Sequence, residues 1–395
     1  MIFSANKSNK SLIFFLIAIV GFSMRLWIAQ WGFNFDFEMW KANLLLFQNN
    51  KSIYEFGNYT YSPLWINILN ILDRFPYPLD SSYISQIIPG SSYRVKIIFF
   101  LSVVDFLIFL LIYQNYSLKT GLLFFFNPIS IIITGHHNQF NNLPILLGFY
   151  AILLYQNSKS PKKIILPLII LGFSLCAKHI LIFFPIWWAI KEREIKNKIL
   201  ILTIPYLIFF LSFYPYIFTE FYHVYEKLIH FGKRNDGPFW GMFGPKILHM
   251  YGGNFHGFFT VLLLIIGFLF EKIKLKDTFY LYLLAIVIFS PGMYTQYLVI
   301  AALPIAIFWN FKYFLFSFLT FLLFLVDGDE LNIRFINELL NWNLRSTRIA
   351  FYPIILVLLI GFFENSFGKN KFKNYIKKII FYTLSRIKSQ FLFKK

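Results

Sequence analysis

Runs of apolar residues recur along almost the whole chain, and nothing constrains its fold more than they do. The first extends from Leu12 to Ile28; others follow at Ile97 to Tyr113, Gly121 to Thr134, Asn142 to Tyr155, Ile164 to Ala177 and Ile180 to Ile190. Ile199 to Phe218, Phe258 to Phe270, Phe279 to Phe289, Tyr297 to Phe308, Tyr313 to Val326 and Ile349 to Phe363 complete a set of about twelve candidate spans. Apolar and polar residues do not alternate within them, so they read as helices and not as strands of a membrane barrel. With 58% of residues hydrophobic and 53 Phe and 24 Tyr among them, the expected fold is an all-α polytopic membrane bundle over residues 1–368. No stretch is polar enough for a separate soluble domain.

The net charge of +19 is carried by Lys and Arg in short loops and in the C-terminal tail. That distribution is the signature of membrane orientation, not of a nucleic-acid partner, and it places both termini in the cytoplasm. The run from Leu12 to Ile28 is signal-like, but no small-residue cleavage pattern follows it, and Trp27 and Trp31 suit an interfacial anchor, so it is expected to remain as the first span. The tail, residues 369–395, holds nine Lys/Arg and no acid, with apolar residues near helical spacing; it is expected to lie on anionic inner-leaflet lipid. Cys176 is the single cysteine and sits in an apolar run, which excludes an intrachain disulfide and a thiolate metal site.

Two long outer loops result, at residues 30–96 and 219–256, and the unusual polar residues gather there or at outer span ends. The first loop carries Asp36 and Glu38 among aromatics, an amphipathic helix from Glu38 to Leu46, and a second apolar piece opened by Tyr61-Ser62-Pro63-Leu64-Trp65. His136, His137, Asn138 and Gln139 precede one span, Lys178 and His179 sit at a turn, and His230, Lys233, Arg234 and Asp236 lie in the second loop. Arg25, near the outer end of the first span, has two uses open to it: snorkelling, or neutralising an anion bound outside. Asp105, inside the second span, is expected to pair with a neighbouring helix. Adjacent histidines point apart on a helix and no compact His/Asp/Glu spacing surrounds His136 and His137, so they are expected to hydrogen-bond within the loop and hold no metal. An ammonium as close to the membrane as Lys178 calls for a partner or for snorkelling.

One base and several cations at a membrane surface suit transfer of a sugar from a polyprenyl phosphate. The phosphate departs without protonation, so cations stabilise it, while a carboxylate deprotonates the attacking hydroxyl. Asp36 and Glu38 are the catalytic candidates; Lys178, His179, Lys233, Arg234 and Arg25 the donor-phosphate candidates; His136, His137, Asn138, Gln139 and Tyr61 the substrate-binding candidates. No cofactor or metal is expected. The alternative is a transporter or flippase of lipid-linked saccharides, which would need ionisable groups at mid-membrane, where only Asp105 stands.

Asp36-Phe37-Glu38 in a first outer loop, Tyr59-Thr60-Tyr61-Ser62-Pro63-Leu64 closing it, His137-Asn138-Gln139-Phe140-Asn141-Asn142 before a span, and Ala177-Lys178-His179 beyond resemble the GT-C glycosyltransferases. The order is most similar to the dolichyl-phosphate-glucose-dependent glucosyltransferases of N-glycan assembly, next to the GPI-type mannosyltransferases. It covers residues 25–190 well and the rest loosely. The resemblance implies a lipid-phosphate sugar donor, a lipid-linked or surface glycan acceptor, loop helices along the membrane, and a catalytic base at Asp36. It departs at a late span, where a His-Glu-Lys motif is replaced by Met293-Tyr294-Thr295-Gln296-Tyr297; Lys233 and Arg234 are candidates to restore the missing charge. The short chain and this departure point to a bacterial plasma membrane.

The topology has a direct test. In intact cells, Asp36→Cys and Asn235→Cys should react with an impermeant thiol reagent, and labelling of Lys162→Cys under the same conditions would overturn the scheme.

Overall fold

The computed structural model describes residues 7–76, 88–89, 92–157, 164–230, 238–241, 255–292, 294–326, 330–331, 333–340 and 344–368. Every regular element among them is helical. The basic tail and the cluster Lys233, Arg234 and Asp236 lie outside the described residues, as does the side chain of His230.

The first half of the chain runs α1 (Lys7–Ile28), α2 (Phe35–Gln48), α3 (Pro63–Arg74), α4 (Ser92–Asn115), α5 (Leu118–Phe125), α6 (Pro128–Ile132), α7 (Asn142–Asn157), α8 (Ile165–Ala177) and α9 (Phe184–Lys191). Then come α10 (Ile195–Leu211), α11 (Phe255–Leu269), α12 (Leu275–Phe289), α13 (Ala302–Ile307), α14 (Phe311–Val326) and α15 (Leu344–Phe367). Three helices are long and apolar enough to cross a bilayer, at Ser11–Trp31, Ser92–Asn115 and Ile349–Phe367. Two bent pairs raise this to five if each is one span: Leu118–Phe125 with Pro128–His137, and Ile165–Ala177 with His179–Lys191. The remaining apolar runs form shorter helices. Leu12, Phe15, Leu16 and Ile19 on the outer flank of α1 are exposed, an apolar surface that suits lipid and not water.

Local signals explain the element boundaries. Asn34 caps α2 by accepting a hydrogen bond from the Asp36 amide at 3.0 Å, and Ser62 with Pro63 at the first position opens α3. The two helices expected in the first outer loop are therefore present, over somewhat longer ranges. On α2 the buried stripe is Phe37, Trp40 and Leu44; on α3 it is Trp65, Ile66 and Leu69. Phe140 joins the two, stacked on Trp65 at 4.0 Å and edge-on to Trp40 at 5.5 Å. At the 118° bend between α8 and the next helix, Lys178 is extended, as the expected turn at Lys178-His179 requires.

Arg25 departs from expectation. It is fully buried and its Nη2 and Nε meet Asp105 Oδ2 at 2.9 and 3.0 Å, while Nη1 donates to the Gly21 carbonyl at 3.0 Å. A guanidinium so enclosed is not available to an external anion. Asp105 does pair with a neighbouring helix, and also accepts from Ser130, from Thr134 at 2.7 Å and, through Oδ1, from Asn142 at 2.6 Å. It thereby ties α1, α4 and α7 to the segment between α6 and α7. Gly135 completes the contact: a Cβ there would stand 2.4 Å from the Arg25 carbonyl oxygen, so only glycine lets this segment approach α1.

Removing one partner of this pair strands a charge in the interior, which costs about 3–5 kcal/mol, whereas removing both does not. Asp105→Leu should therefore lower the thermal midpoint of the purified protein markedly, and Arg25→Met/Asp105→Leu should recover much of the loss. Equal midpoints for the single variant and the wild type would show the pair to be dispensable.

Candidate functional site

Asp36 occupies the first turn of α2, where the helix dipole favours negative charge. Neighbours two apart on a helix do not face each other, and the consequence is plain here. Asp36 and Glu38 flank the buried Phe37 on opposite sides; Asp36 is partly buried and Glu38 exposed. Of the two catalytic candidates only Asp36 meets Gln139 and, through it, Lys178.

The partner of Asp36 is Gln139, whose amide nitrogen donates to Asp36 Oδ2. The amide oxygen of Gln139 faces Lys178 Nζ at 3.5 Å, and Lys178 donates a shorter bond, 2.7 Å, to Asn141 Oδ1. Asn141 in turn donates to the Gln296 carbonyl at 2.7 Å. A single amide side chain thus links the carboxylate to the ammonium. Asp36 Oδ1 has no partner among the described residues, so one carboxylate oxygen is left for a substrate proton.

Lys178 is 3% exposed and surrounded by rings. Its Nζ lies 5.0 Å from the centroids of Tyr61 and Phe140 and 5.2 Å from that of Tyr297. Those π faces replace part of the lost hydration of the ammonium. Burial, with Tyr297 and Asp36 nearby, holds the Tyr61 phenol well above its usual value, so Tyr61 is a neutral hydroxyl. Lys178 and Tyr61 form part of the wall of a cavity of about 240 Å³ together with His179, Lys227, Tyr294 and Tyr297. His179 is exposed into it. Of the stretch Met293-Tyr294-Thr295-Gln296-Tyr297, which stands where the resemblance has its His-Glu-Lys motif, Tyr294 and Tyr297 line this cavity, with aromatic rings instead of charges.

The loop between α6 and α7 is built around Arg94, a residue the sequence reading passed over. Arg94 is fully buried and donates to the carbonyls of Ala29 at 2.9 Å, Pro89 at 2.7 Å, Gly135 at 3.1 Å, His136 at 3.3 Å and Gly32. It also donates to Asn138 Oδ1 at 2.7 Å. Asn138 sits at φ 60°, a left-handed conformation that asparagine tolerates, and its amide donates to the Thr134 and Gly135 carbonyls. All of Asn138's polar capacity is spent inside the protein, so it shapes the loop and does not face a substrate.

His136 and His137 are buried as well, on a π turn, Ile133–His137. Here the expectation that no acid accompanies them is corrected: Glu330, 193 residues further on, pairs with His137 Nε2 through one oxygen and accepts from the Thr295 hydroxyl through the other. The segment 327–348, of mixed charge and without a motif, therefore contributes a buried carboxylate. Lys227 was also missed; it donates to Asn58 Oδ1 at 3.0 Å at the cavity's edge, and its one sequence signal was a lysine in an aromatic outer loop. Of the catalytic, substrate and phosphate candidates, Lys178, His179 and Tyr61 line the cavity and Asp36 and Gln139 join Lys178 by hydrogen bonds, while Arg25, Glu38, His136, His137 and Asn138 do not line it. Compared with family models and with curated proteins, the chain matches none.

Proposed function

We propose that this chain is an integral membrane glycosyltransferase of the GT-C type. It moves a hexose from a polyprenyl-phosphate sugar to a lipid-linked or surface glycan acceptor on the outer face, with inversion at the anomeric carbon. The observation that carries this reading is the series Asp36, Gln139, Lys178, whose last member lines the cavity: a base with one free oxygen and a cation, coupled through one amide. In the reaction the acceptor hydroxyl attacks the anomeric carbon, Asp36 Oδ1 takes its proton, and the bond from that carbon to the phosphate oxygen breaks. Negative charge growing on the departing phosphate is met by Lys178, whose bond to Gln139 is long enough to be exchanged for one to a phosphate oxygen. His179 and Lys227, which also line the cavity, supply further polar contacts. Ile180, Phe183, Phe259 and Ile286, which also line the cavity, suit the first part of a prenyl chain.

The reading carries a topology of about twelve crossings, with the shorter apolar helices supplying those beyond the long ones. Both termini are cytoplasmic, α2 and α3 lie along the outer membrane surface, and the host is a bacterial plasma membrane. Transport is supported less well. Asp105, the one carboxylate expected at mid-membrane, is neutralised by Arg25 and saturated by three side-chain donors, so it has nothing left to offer a passing substrate.

Two substitutions separate the roles, assayed with a panel of labelled polyprenyl-phosphate hexoses in membranes and, in parallel, by lipid movement in sealed vesicles. Asp36→Asn keeps the hydrogen-bonding shape but cannot take the proton, so turnover should fall about 10²–10⁴-fold with donor binding retained. Lys178→Met should weaken donor binding and turnover together. Both variants should elute from detergent as the wild type does. Near-normal transfer by Asp36→Asn would remove the mechanism, and lipid movement without transfer would replace it.

A further inference from the structure

Two imidazoles and a carboxylate that the transfer reaction does not use come together in the core. One ligand atom from each of His136, His137 and Glu330 lies within 4.8 Å of the others, and all three residues are buried. The π turn explains how adjacent histidines cooperate. With more residues per turn than an α-helix, it reduces the angle between consecutive side chains, and the two rings stand 5.5 Å apart, centroid to centroid.

A second observation points to a ligand. The Nδ1 atoms of both imidazoles are buried and have no hydrogen-bond partner among the described residues. An unmet polar nitrogen in the interior is costly, and the one on His136 belongs to the same donor cluster as the His137–Glu330 pair, which meets through Nε2 of His137. Glu330 is prepared in the way ligating carboxylates are: one oxygen faces His137, and the Thr295 hydroxyl fixes the other from outside. Two imidazoles and one carboxylate are borderline donors that suit zinc, and they fall well short of the six or more oxygens that calcium or an octahedral magnesium ion requires.

We propose that His136, His137 and Glu330 bind one Zn²⁺ ion. Binding displaces the proton shared by His137 and Glu330, which leaves to solvent, so the site holds neutral imidazoles and an ionised carboxylate. The ion ties the turn at Glu330 to the segment that presents Gln139 and Asn141. It is a fastening of the loop, with no part in the transfer step, and the proposal stands whether or not the chain transfers sugar.

The test is metal content of the full-length protein, purified in detergent through a tag without histidines from cells grown with added zinc. Elemental analysis should find about one zinc per chain, falling to background in His137→Gln and in Glu330→Gln, and unchanged in Asp36→Asn. Protein stripped with a chelator should melt a few degrees lower and regain its midpoint on addition of Zn²⁺. Stripped protein loaded with Co²⁺ should show visible d–d absorption, a measurement on the wild type that does not depend on any variant folding. Background zinc in the wild type with no melting response to Zn²⁺ would overturn the site. So would a full complement of zinc in properly eluting His137→Gln and Glu330→Gln proteins, since the ion would then be bound elsewhere.

Discussion

A guanidinium taken out of water must find oxygen atoms for every N–H it carries, and the way Arg94 meets that demand organises the candidate site. Its partners are backbone carbonyls at the end of the first helix, at Gly32 and at Gly135 and His136, with the side chain of Asn138. Those carbonyls belong to the two segments that carry Asp36 and Gln139. Holding them on one buried cation brings the start of α2 to the loop before α7, and the bond from Gln139 to Asp36 follows from that juxtaposition. Arg25 repeats the principle, with Asp105 supplying the countercharge. A low-dielectric interior makes such groups expensive singly and rigidifying when fully bonded.

The third buried cation among the described residues is different. Lys178 has one strong bond, to Asn141, a longer one to Gln139, and three aromatic faces around it. Structural cations here are saturated by fixed oxygens, and Lys178 is held loosely enough to exchange a partner. That contrast, more than the presence of charge, distinguishes a candidate for phosphate contact from a residue that holds helices together.

Much of this was legible in the chain itself. Apolar runs without alternation mean helices, because an unpaired backbone in hydrocarbon is prohibitive and period two is absent. The Asn34 cap and the Ser62-Pro63 pair mark helix starts by local hydrogen bonding alone. Asp36 stood out by its aromatic surroundings, and Lys178 by being an ammonium between apolar runs. Even the separation of Asp36 from Glu38 is a local matter of helical angle.

What tertiary structure decided was pairing across long separations, where the sequence carries no period or spacing to read. Arg25 lies in the same run whether it faces an anion or Asp105, and only the packing of α1 against α4 chooses. Glu330 reaches His137 across 193 residues, from a segment of mixed charge with no motif. Adjacent histidines converge because the helix widens into a π turn there, a backbone choice imposed by the contacts around it. Sequence determines which groups must be buried; the fold determines which oxygen or nitrogen each one meets, because that depends on distances between helices which no single helix encodes.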